Sequence, residues 1–396
     1  MACVILALAA GCGSGGSSSS QPEQPPPVVQ GLGKLELLTG KMAADLSNCH
    51  SINGPAAEAE YSHLMRATVY ADAVYLAETG EGCTNVRYDA SGFVPDNLRP
   101  AIRKLSGSMV ETAIALNDYS SPSRPVMARY PSGFQRRPDT GEAFVLGYAT
   151  SFPNWYSDGS LVGFDAQELA RYTAQGVWDY YIPGLFRFTP GQTMASPGNL
   201  AAGAPGKPPA YVDEQGQAAG FIAPHDLEMD ASGLLYLIDQ GQIRTIDAGY
   251  RVKTLDLAAL GIEGEVLALD SDHQGGIHVL TQRSGWNYSW YRLADGSKVD
   301  FGFSVAIGPG LALQRLPFAV VGNDLAVVLY GQIYRISGND GTMTPLTGSK
   351  TPATPQELLG DPLQYELPQV EHIKYGVDGN LYIVLQQGVL VARNFK

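Results

Sequence analysis

Residues 211–255, YVDEQGQAAGFIAPHDLEMDASGLLYLIDQGQIRTIDAGYRVKTL, decide the fold because they form one complete four-stranded unit. Runs of β-forming residues at 227–229, 235–238, 242–247 and 251–255 predict four short strands. Turns rich in Gly, Asp and small residues separate these runs, as in Asp-Ala-Ser-Gly at 230–233. The segment therefore predicts an antiparallel meander.

The same unit recurs along the chain. Residues 53–61 match 213–221, residues 74–80 match 235–241, and residues 102–105 match 243–246. Further second strands are predicted at 277–280, 325–328 and 381–384. The equivalent positions Tyr236, His278, Ala326 and Tyr382 are separated by 42, 48 and 56 residues. A period of this size, with four strands in each repeat, indicates an all-β β-propeller.

The repeated string resembles the repeats of NHL propellers. It has an Asn/Asp-Gly-rich start, Ala-x-Phe/Tyr, an Asp-x-x-Gly turn, Leu-Tyr-Leu-x-Asp/Glu-x-Gly and Ile-Arg, and the match is clearest at 53–105 and 211–255. The resemblance implies a propeller of the six-bladed type. It does not specify an activity, because one propeller scaffold carries many functions.

The number of blades and the closure of the ring follow from the spacing. Tyr75 and Tyr236 are 161 residues apart, which fits one heavily embellished blade or two ordinary ones between them. We favour six four-stranded blades with an insertion near 149–183, and seven remain possible. Residues 34–39 resemble a fourth strand, whereas the last repeat supplies only three. We therefore predict that an N-terminal strand closes the last blade of a domain at 33–396.

The N-terminus resembles a bacterial lipoprotein signal. The apolar run at 4–10 leads into Leu8-Ala-Ala-Gly-Cys12, which predicts a signal peptide at 1–12 and lipidation of Cys12. No Lys or Arg precedes the run, so either the start codon is misplaced or the signal is weak. The alternative is an ordinary secretory signal or a disordered N-terminus. The Gly/Ser-rich and then Pro-rich stretch at 13–32 predicts a tether. These features imply a lipid-anchored envelope protein, with the outer membrane favoured, facing the periplasm or the surface.

The remaining cysteines and the charge narrow the possible partners. Cys49 and Cys83 predict a disulfide in an oxidising compartment, and two free buried thiols are the alternative.

The chain carries 39 acidic and 26 basic residues, a formal net charge of -13. Such a charge argues against nucleic acid or an anionic lipid surface as the main partner. Membrane contact is therefore predicted only through the N-terminal lipid.

Polar residues near the start of the inner strands form the candidate site at the channel mouth. Imidazole and carboxylate groups in one cavity can hold Zn²⁺ or Ca²⁺, or act as acid and base. Propellers of the gluconolactonase and peptidyl-hydroxyglycine lyase types use such sites, and residues 224–227 are similar to the latter at one position. The alternative is that these side chains are simply solvated. The catalytic candidates are His225, Asp226 and Arg66, and the metal candidates are His225, Glu265, Glu371 and His372.

Other motifs predict structural or binding roles. Glu78 and Asp239 follow equivalent second strands, where a carboxylate accepts backbone N–H bonds and caps a turn. Trp286, Tyr288 and Trp290 are predicted to lie in a loop on the mouth face, where aromatic side chains bind a protein or a glycan. The alternative is that alternate aromatics point into the sheet packing.

Two functions are therefore weighed. The first is a non-catalytic, lipid-anchored binding or scaffold protein that recognises an envelope protein or glycan without a cofactor. The second is a metal-dependent hydrolase or lyase with one divalent cation, Zn or Ca, at the channel mouth. Convergence of three or more of the candidate ligands on one centre would favour the enzyme.

Overall fold

The computed structural model describes residues 32–42, 50–79, 100–116, 126–151, 154–155, 161–162, 180–193, 199–203, 210–284, 287–302, 316–329, 331–351 and 354–395. These residues form an all-β structure with very little helix. Predicted features at Cys12, Cys49, Cys83, Trp286, the signal peptide 1–12 and nearly all of the tether 13–32 lie outside the described residues. Within them, no helix is long and apolar enough to cross a membrane.

The strands follow one another in six blades. In chain order they are β1 (Leu35–Gly40), β2 (Gly54–Pro55), β3 (Leu64–Val69), β4 (Val74–Glu78), β5 (Ala101–Ser106), β6 (Met109–Ala115), β7 (Val126–Arg136), β8 (Ala143–Ser151), β9 (Asn154–Trp155), β10 (Leu161–Val162), β11 (Tyr180–Phe188), β12 (Leu200–Ala202), β13 (Pro224–Met229), β14 (Leu235–Asp239), β15 (Gln242–Ile246), β16 (Val252–Thr254), β17 (Glu265–Ser271), β18 (Ile277–Ser284), β19 (Asn287–Arg292), β20 (Lys298–Gly302), β21 (Phe318–Val321), β22 (Asp324–Leu329), β23 (Gln332–Ile336), β24 (Met343–Pro345), β25 (Val370–Tyr375), β26 (Leu381–Leu385) and β27 (Gly388–Ala392). The short helix α1 (Pro355–Gly360) precedes the last blade and begins with a capping box at Thr354. A 3-10 helix spans Gly216–Ala218.

The sheet order confirms six four-stranded antiparallel blades. From the inner to the outer strand, the blades are β3–β6, then β7, β8, β11 and β12, then β13–β16, β17–β20 and β21–β24, and last β25, β26, β27 and β1. The two-residue strand β2 adds a fifth strand to the outer edge of the first blade. The 161-residue interval between Tyr75 and Tyr236 therefore holds one additional blade. Seven blades, the alternative left open by the spacing, do not form.

The ring closes through the N-terminal strand, as predicted. Strand β1 pairs antiparallel with β27, with Leu35 opposite Ala392 and Gly40 opposite Gly388. The Arg393 Nε donates to Glu36 Oε2 at 2.7 Å across the same pair. The outer edge of β27 is therefore covered by a strand from the start of the domain.

The second blade carries an excursion between its second and third strands. Strand β8 ends at Ser151 and β11 begins at Tyr180, and the short hairpin β9–β10 lies between them. The predicted insertion near 149–183 overlaps this connection. The inner strands of blades two and three approach closely at Gly133, where an added Cβ would lie 2.4 Å from the Leu227 Cβ. Only glycine fits this contact without a shift of the neighbouring strand.

A buried carboxylate–arginine pair recurs in the best-matched repeats. Asp239 accepts the Ala223 N–H at 2.8 Å and pairs with the Arg244 guanidinium at 3.0 Å. In the first blade, Glu78 accepts the Ser62 N–H at 2.6 Å and pairs with Arg103 at 3.2 Å. The predicted capping role of both carboxylates is confirmed. These pairs explain the Ile-Arg string, because its arginine is the partner of the capping carboxylate.

Candidate functional site

On three of the inner strands, an equivalent position places a charged side chain in the central channel. This position pairs with the repeat's tyrosine position on the second strand: Glu228 lies opposite Tyr236, Asp270 opposite His278, and Lys374 opposite Tyr382. Alternate residues of a strand point to the same side. Arg66 on strand β3 faces the same channel from the preceding layer, and Asp226 on strand β13 reaches it at an irregularity of the strand.

Five charged side chains meet across this channel, and we call them the channel cluster: Arg66, Asp226, Glu228, Asp270 and Lys374. Arg66 Nη1 donates to Asp226 Oδ1 at 2.7 Å, and its Nη2 donates to Glu228 Oε1. Lys374 Nζ donates to Asp270 Oδ1 at 2.5 Å and to Glu228 Oε2 at 3.2 Å. Blades one and three are not adjacent, and neither are blades three and six. These ion pairs must therefore span the central channel.

Neutral donors also form hydrogen bonds with two carboxylates of the channel cluster. Ser271 Oγ donates to Glu228 Oε2 at 2.5 Å, and Gln135 Nε2 donates to Glu228 at 3.2 Å. The Val320 N–H donates to Asp270 Oδ2 at 2.9 Å, which brings in blade five. The five charged side chains are all at least 90% buried. Such buried charges are tolerated because each is paired and hydrogen-bonded.

Burial and pairing set the protonation of the cluster. Burial raises the pKa of Asp270 to about 6, since the nearby Lys374 only partly offsets the loss of solvation and Glu228 raises the pKa further. Burial also acts on Glu228, but Lys374 and Arg66 outweigh it and lower the pKa of that carboxyl. The pKa of Lys374 is raised, because Asp270 and Glu228 outweigh the effect of burial. Asp270 therefore changes its protonation at about pH 6.

Backbone geometry directs Asp226 at Arg66. The pairing of β13 with β14 shifts register between His225 and Glu228, which is the signature of a β-bulge. Asp226 takes a φ of 54°, a left-handed conformation that non-glycine residues rarely adopt. The bulge allows both Asp226 and Glu228 to contact Arg66.

The predicted mouth residues come together only in part. Arg66 and Asp226 form an ion pair, whereas Glu265 is exposed at the start of β17. Glu371 Oε1 lies 3.5 Å from His63 Nε2. His372 Nδ1 accepts the Ala67 N–H at 3.5 Å, and His225 Nδ1 lies 3.7 Å from Asp226 Oδ1.

The mouth holds little space. Its cavity measures about 30 Å³ and is lined by Arg66, Ser132, Asp226, Glu371 and His372 among others. That volume suits about one buried water. Among the described residues, which include all four metal candidates, no group of three His, Cys, Asp or Glu side chains is arranged to hold a metal ion. The convergence that would favour the enzyme is therefore not seen there.

The aromatic face predicted from the sequence needs correction. Tyr288 and Trp290 belong to strand β19 and are 1% and 5% exposed. Tyr288 stacks on Phe301 with 5.6 Å between ring centroids. Trp290 Nε1 donates to His278 Nδ1 at 2.9 Å. Both rings pack inside the blade because the third strand begins earlier than predicted, so these two residues provide no exposed binding surface.

A much larger cavity lies at the opposite end of the channel, and we call it the turn-face cleft. Its volume is about 730 Å³, and its walls include the tight turns between first and second strands, at Pro138–Asp139, Ala231–Gly233 and His273–Gly275. Gln135, Ser271 and Lys374 are also among its lining residues. The channel cluster therefore separates this cleft from the small mouth cavity.

Three members of the cluster were missed in the sequence. Glu228, Asp270 and Lys374 were not among the candidates, because the repeats were aligned only on the residues near the start of each inner strand. The sequence did contain a signal for them. Polar residues stand two positions apart on three inner strands, which indicates a polar strand face: Arg66 and Thr68, Asp226 and Glu228, and His372 and Lys374.

Comparison with known proteins finds solved structures of similar fold at low sequence identity. No protein-family model matches the chain, and no curated protein matches it. The fold is similar to that of a protein of unknown function from Bacteroides thetaiotaomicron, at 12% identity and a TM-score of 0.48, with 90% of this chain and 75% of that chain covered. An auxiliary nutrient binding protein from the same organism is similar at 10% identity and a TM-score of 0.46, with the same coverage. A catalytically inactive virginiamycin B lyase from Staphylococcus aureus, solved with quinupristin, is similar at 10% identity and a TM-score of 0.40, covering 90% of this chain and 99% of that chain.

Proposed function

We propose that this six-bladed propeller is a non-catalytic binding protein of the bacterial envelope, held at the membrane by a lipid on Cys12 and the tether 13–32. Its repeats are of the NHL type, a proposal supported by the buried carboxylate–arginine pairs at Asp239–Arg244 and Glu78–Arg103. The propeller recognises its partner through the turn-face cleft.

The observation that carries this proposal is the internal pairing of the channel charges. Arg66 and Lys374 are bonded to Asp226, Glu228 and Asp270, so these side chains stabilise one another. A catalytic acid or base must reach a substrate within hydrogen-bond distance. The cluster is buried, whereas the cleft above it is open and lies within the range of small-molecule sites, roughly 300–1,000 Å³. The arrangement thus suits recognition better than acid–base chemistry.

The anchoring part of the proposal is tested with the full chain and a Cys12→Ala variant in a bacterial host. We expect the unsubstituted chain to incorporate labelled palmitate and to partition into the detergent phase, and the variant to do neither. A Cys3→Ala variant is the matched control and should behave like the unsubstituted chain. Equal labelling of the Cys12→Ala variant would refute anchoring at this residue.

The binding part is tested by a thermal-shift screen of the purified full chain against neutral saccharides, charged saccharides and short peptides. A ligand that raises the unfolding temperature in a concentration-dependent way supports the proposal. Lactone and ester hydrolysis are measured in parallel with added Zn²⁺ or Ca²⁺. Turnover that is abolished by His225→Ala would overturn the non-catalytic proposal in favour of the metal-dependent alternative.

A further inference from the structure

The positive charges of the turn-face cleft are engaged by the protein itself. Arg136 forms a bidentate pair with Asp72, at 2.7 Å and 3.1 Å. Arg137 donates to Glu142 and to the Gly233 carbonyl, both at 3.4 Å. Lys374 is bonded within the channel cluster. An anionic ligand would therefore have to compete with existing carboxylates for each of these cations.

Two carboxylates of the cleft are engaged as well, because they cap the turns. Asp230 accepts the Ser232 N–H at 2.8 Å and the Leu234 N–H at 3.0 Å. Asp272 accepts the Gln274 N–H at 2.8 Å and contacts His278 Nε2 at 3.1 Å. These bonds hold the turns in one conformation, so the walls of the cleft are organised before a ligand arrives.

The other side chains that line the turn-face cleft suit the hydroxyl groups and the ring faces of a sugar. The side chains of Asp139, His273 and Gln274 are exposed at the rim, and none is engaged by another residue in the described part of the chain. Tyr70 and Tyr375 are half-buried in the walls. Arg136 lies over the Tyr70 ring, and the Tyr375 hydroxyl donates to the Phe395 carbonyl at 3.1 Å, so both rings are held in place. A tyrosine ring provides an apolar face for packing, and the rim provides both donors and acceptors.

We infer that the turn-face cleft binds an uncharged polyhydroxylated ligand, a short neutral oligosaccharide. The inference rests on the proposed binding function and names the chemical class of its ligand. A neutral ligand leaves the existing ion pairs intact, whereas an anionic ligand must break or desolvate them. Among the described residues of the cleft, a cationic ligand would meet only the exposed Asp139 carboxylate unengaged, and an exposed ion pair contributes little. Tyr375 supplies the packing surface, and Asp139 accepts hydrogen bonds from sugar hydroxyls.

The test is isothermal titration calorimetry of the full chain in mild detergent with maltotriose, cellotriose and xylotriose, and with trigalacturonate and chitosan trisaccharide as charged probes. At least one neutral probe should bind, and the charged probes should bind at least about tenfold more weakly. The affinity of the neutral probe should change by less than about twofold between roughly 0.05 and 0.5 M NaCl, because its binding neutralises no net charge. Asp139→Asn and Tyr375→Ala should each weaken binding by about fivefold or more.

Matched controls keep the result specific to the cleft. Asp295→Asn and Tyr334→Ala replace the same residue types outside it and should leave the affinity unchanged. Neutral binding that survives both cleft substitutions would overturn the assignment to this cleft. Tighter, salt-dependent binding of a charged probe would overturn the ligand class while leaving the binding function in place. If no trisaccharide binds, the inference is refuted, and the proposed function falls only if the wider screen also finds no ligand.

Discussion

Replacing Lys374 by methionine should destabilise the propeller strongly. Lys374 is 7% exposed and bonds both Asp270 and Glu228 in the channel. Methionine keeps much of the side-chain volume but leaves three carboxylates facing a single cation, Arg66. Removing one partner of a buried ion pair costs about 3–5 kcal/mol.

The expected shift in unfolding temperature follows from the size of the domain. With an unfolding entropy of about 2.1 cal/mol/K per residue and about 360 residues, this loss corresponds to a fall of about 4–7 °C. Urea unfolding followed by tryptophan fluorescence and by circular dichroism gives the free energy of unfolding. The loss of unfolding free energy caused by Lys374→Met should be larger at pH 7.5 than at pH 5. The reason is that Asp270, whose pKa is raised to about 6, becomes protonated at the lower pH.

Two controls make this prediction decisive. Lys104→Met removes a partly exposed cation that pairs with Glu111 at 3.2 Å, and it should cost less than about 1 kcal/mol. The double variant Lys374→Met with Asp270→Asn should be more stable than the sum of its two single changes implies, by about 0.5–3 kcal/mol. A Lys374→Met protein as stable as the Lys104→Met control, or a strictly additive double variant, would refute the idea of a coupled channel cluster.

Three further changes test other parts of the structure. Asp270→Asn should flatten part of the pH dependence of stability. The pKa of Asp270 in the folded protein is about 6, above its ordinary value of 3.8, so in the unsubstituted chain this carboxyl lowers stability as pH rises between these two values. Urea unfolding of both proteins across that pH range measures the difference. Arg244→Ala should cost about 3–5 kcal/mol in urea unfolding, because it leaves Asp239 unpaired in the third blade; a loss below 1 kcal/mol would contradict a buried pair. Gly133→Ala should lower the free energy of unfolding by about 1–3 kcal/mol, since its Cβ would meet Leu227; no change would show that the two inner strands separate easily.

The architecture was predictable because each blade is specified by its own short stretch of sequence, and the pattern of that stretch recurs along the chain. Each blade needs only short β-forming runs and tight turns. A tyrosine between two aliphatic residues recurs at Tyr75, Tyr236 and Tyr382 and marks three of the second strands. The closing strand was predictable for a related reason: the last repeat lacked a fourth strand, and residues 34–39 resembled one. The capping roles of Glu78 and Asp239 followed from their equivalent positions.

The site was less predictable because it depends on the closed ring. Lys374 and Glu228 are 146 residues apart, and only the circular arrangement of blades brings their side chains together. The register of β19 decided the position of the aromatics: strand pairing from Asn287 puts Tyr288 and Trp290 inside the packing instead of in a loop. Asp226 is a third case, because its positive φ arises at a bulge that the pattern of apolar and polar residues does not reveal.

The pairing of β1 with β27 also constrains the order in which the domain forms. Arg393 and Glu36, which bond across this pair, are 357 residues apart. Closing a loop of that length costs about 5 kcal/mol of chain entropy, and contacts this distant slow folding. As the chain is made from its N-terminus, β1 must wait unpaired until the strands of the sixth blade have been synthesised. Strand β1 is therefore the first strand of the propeller to be made and takes its final place only when the ring is complete.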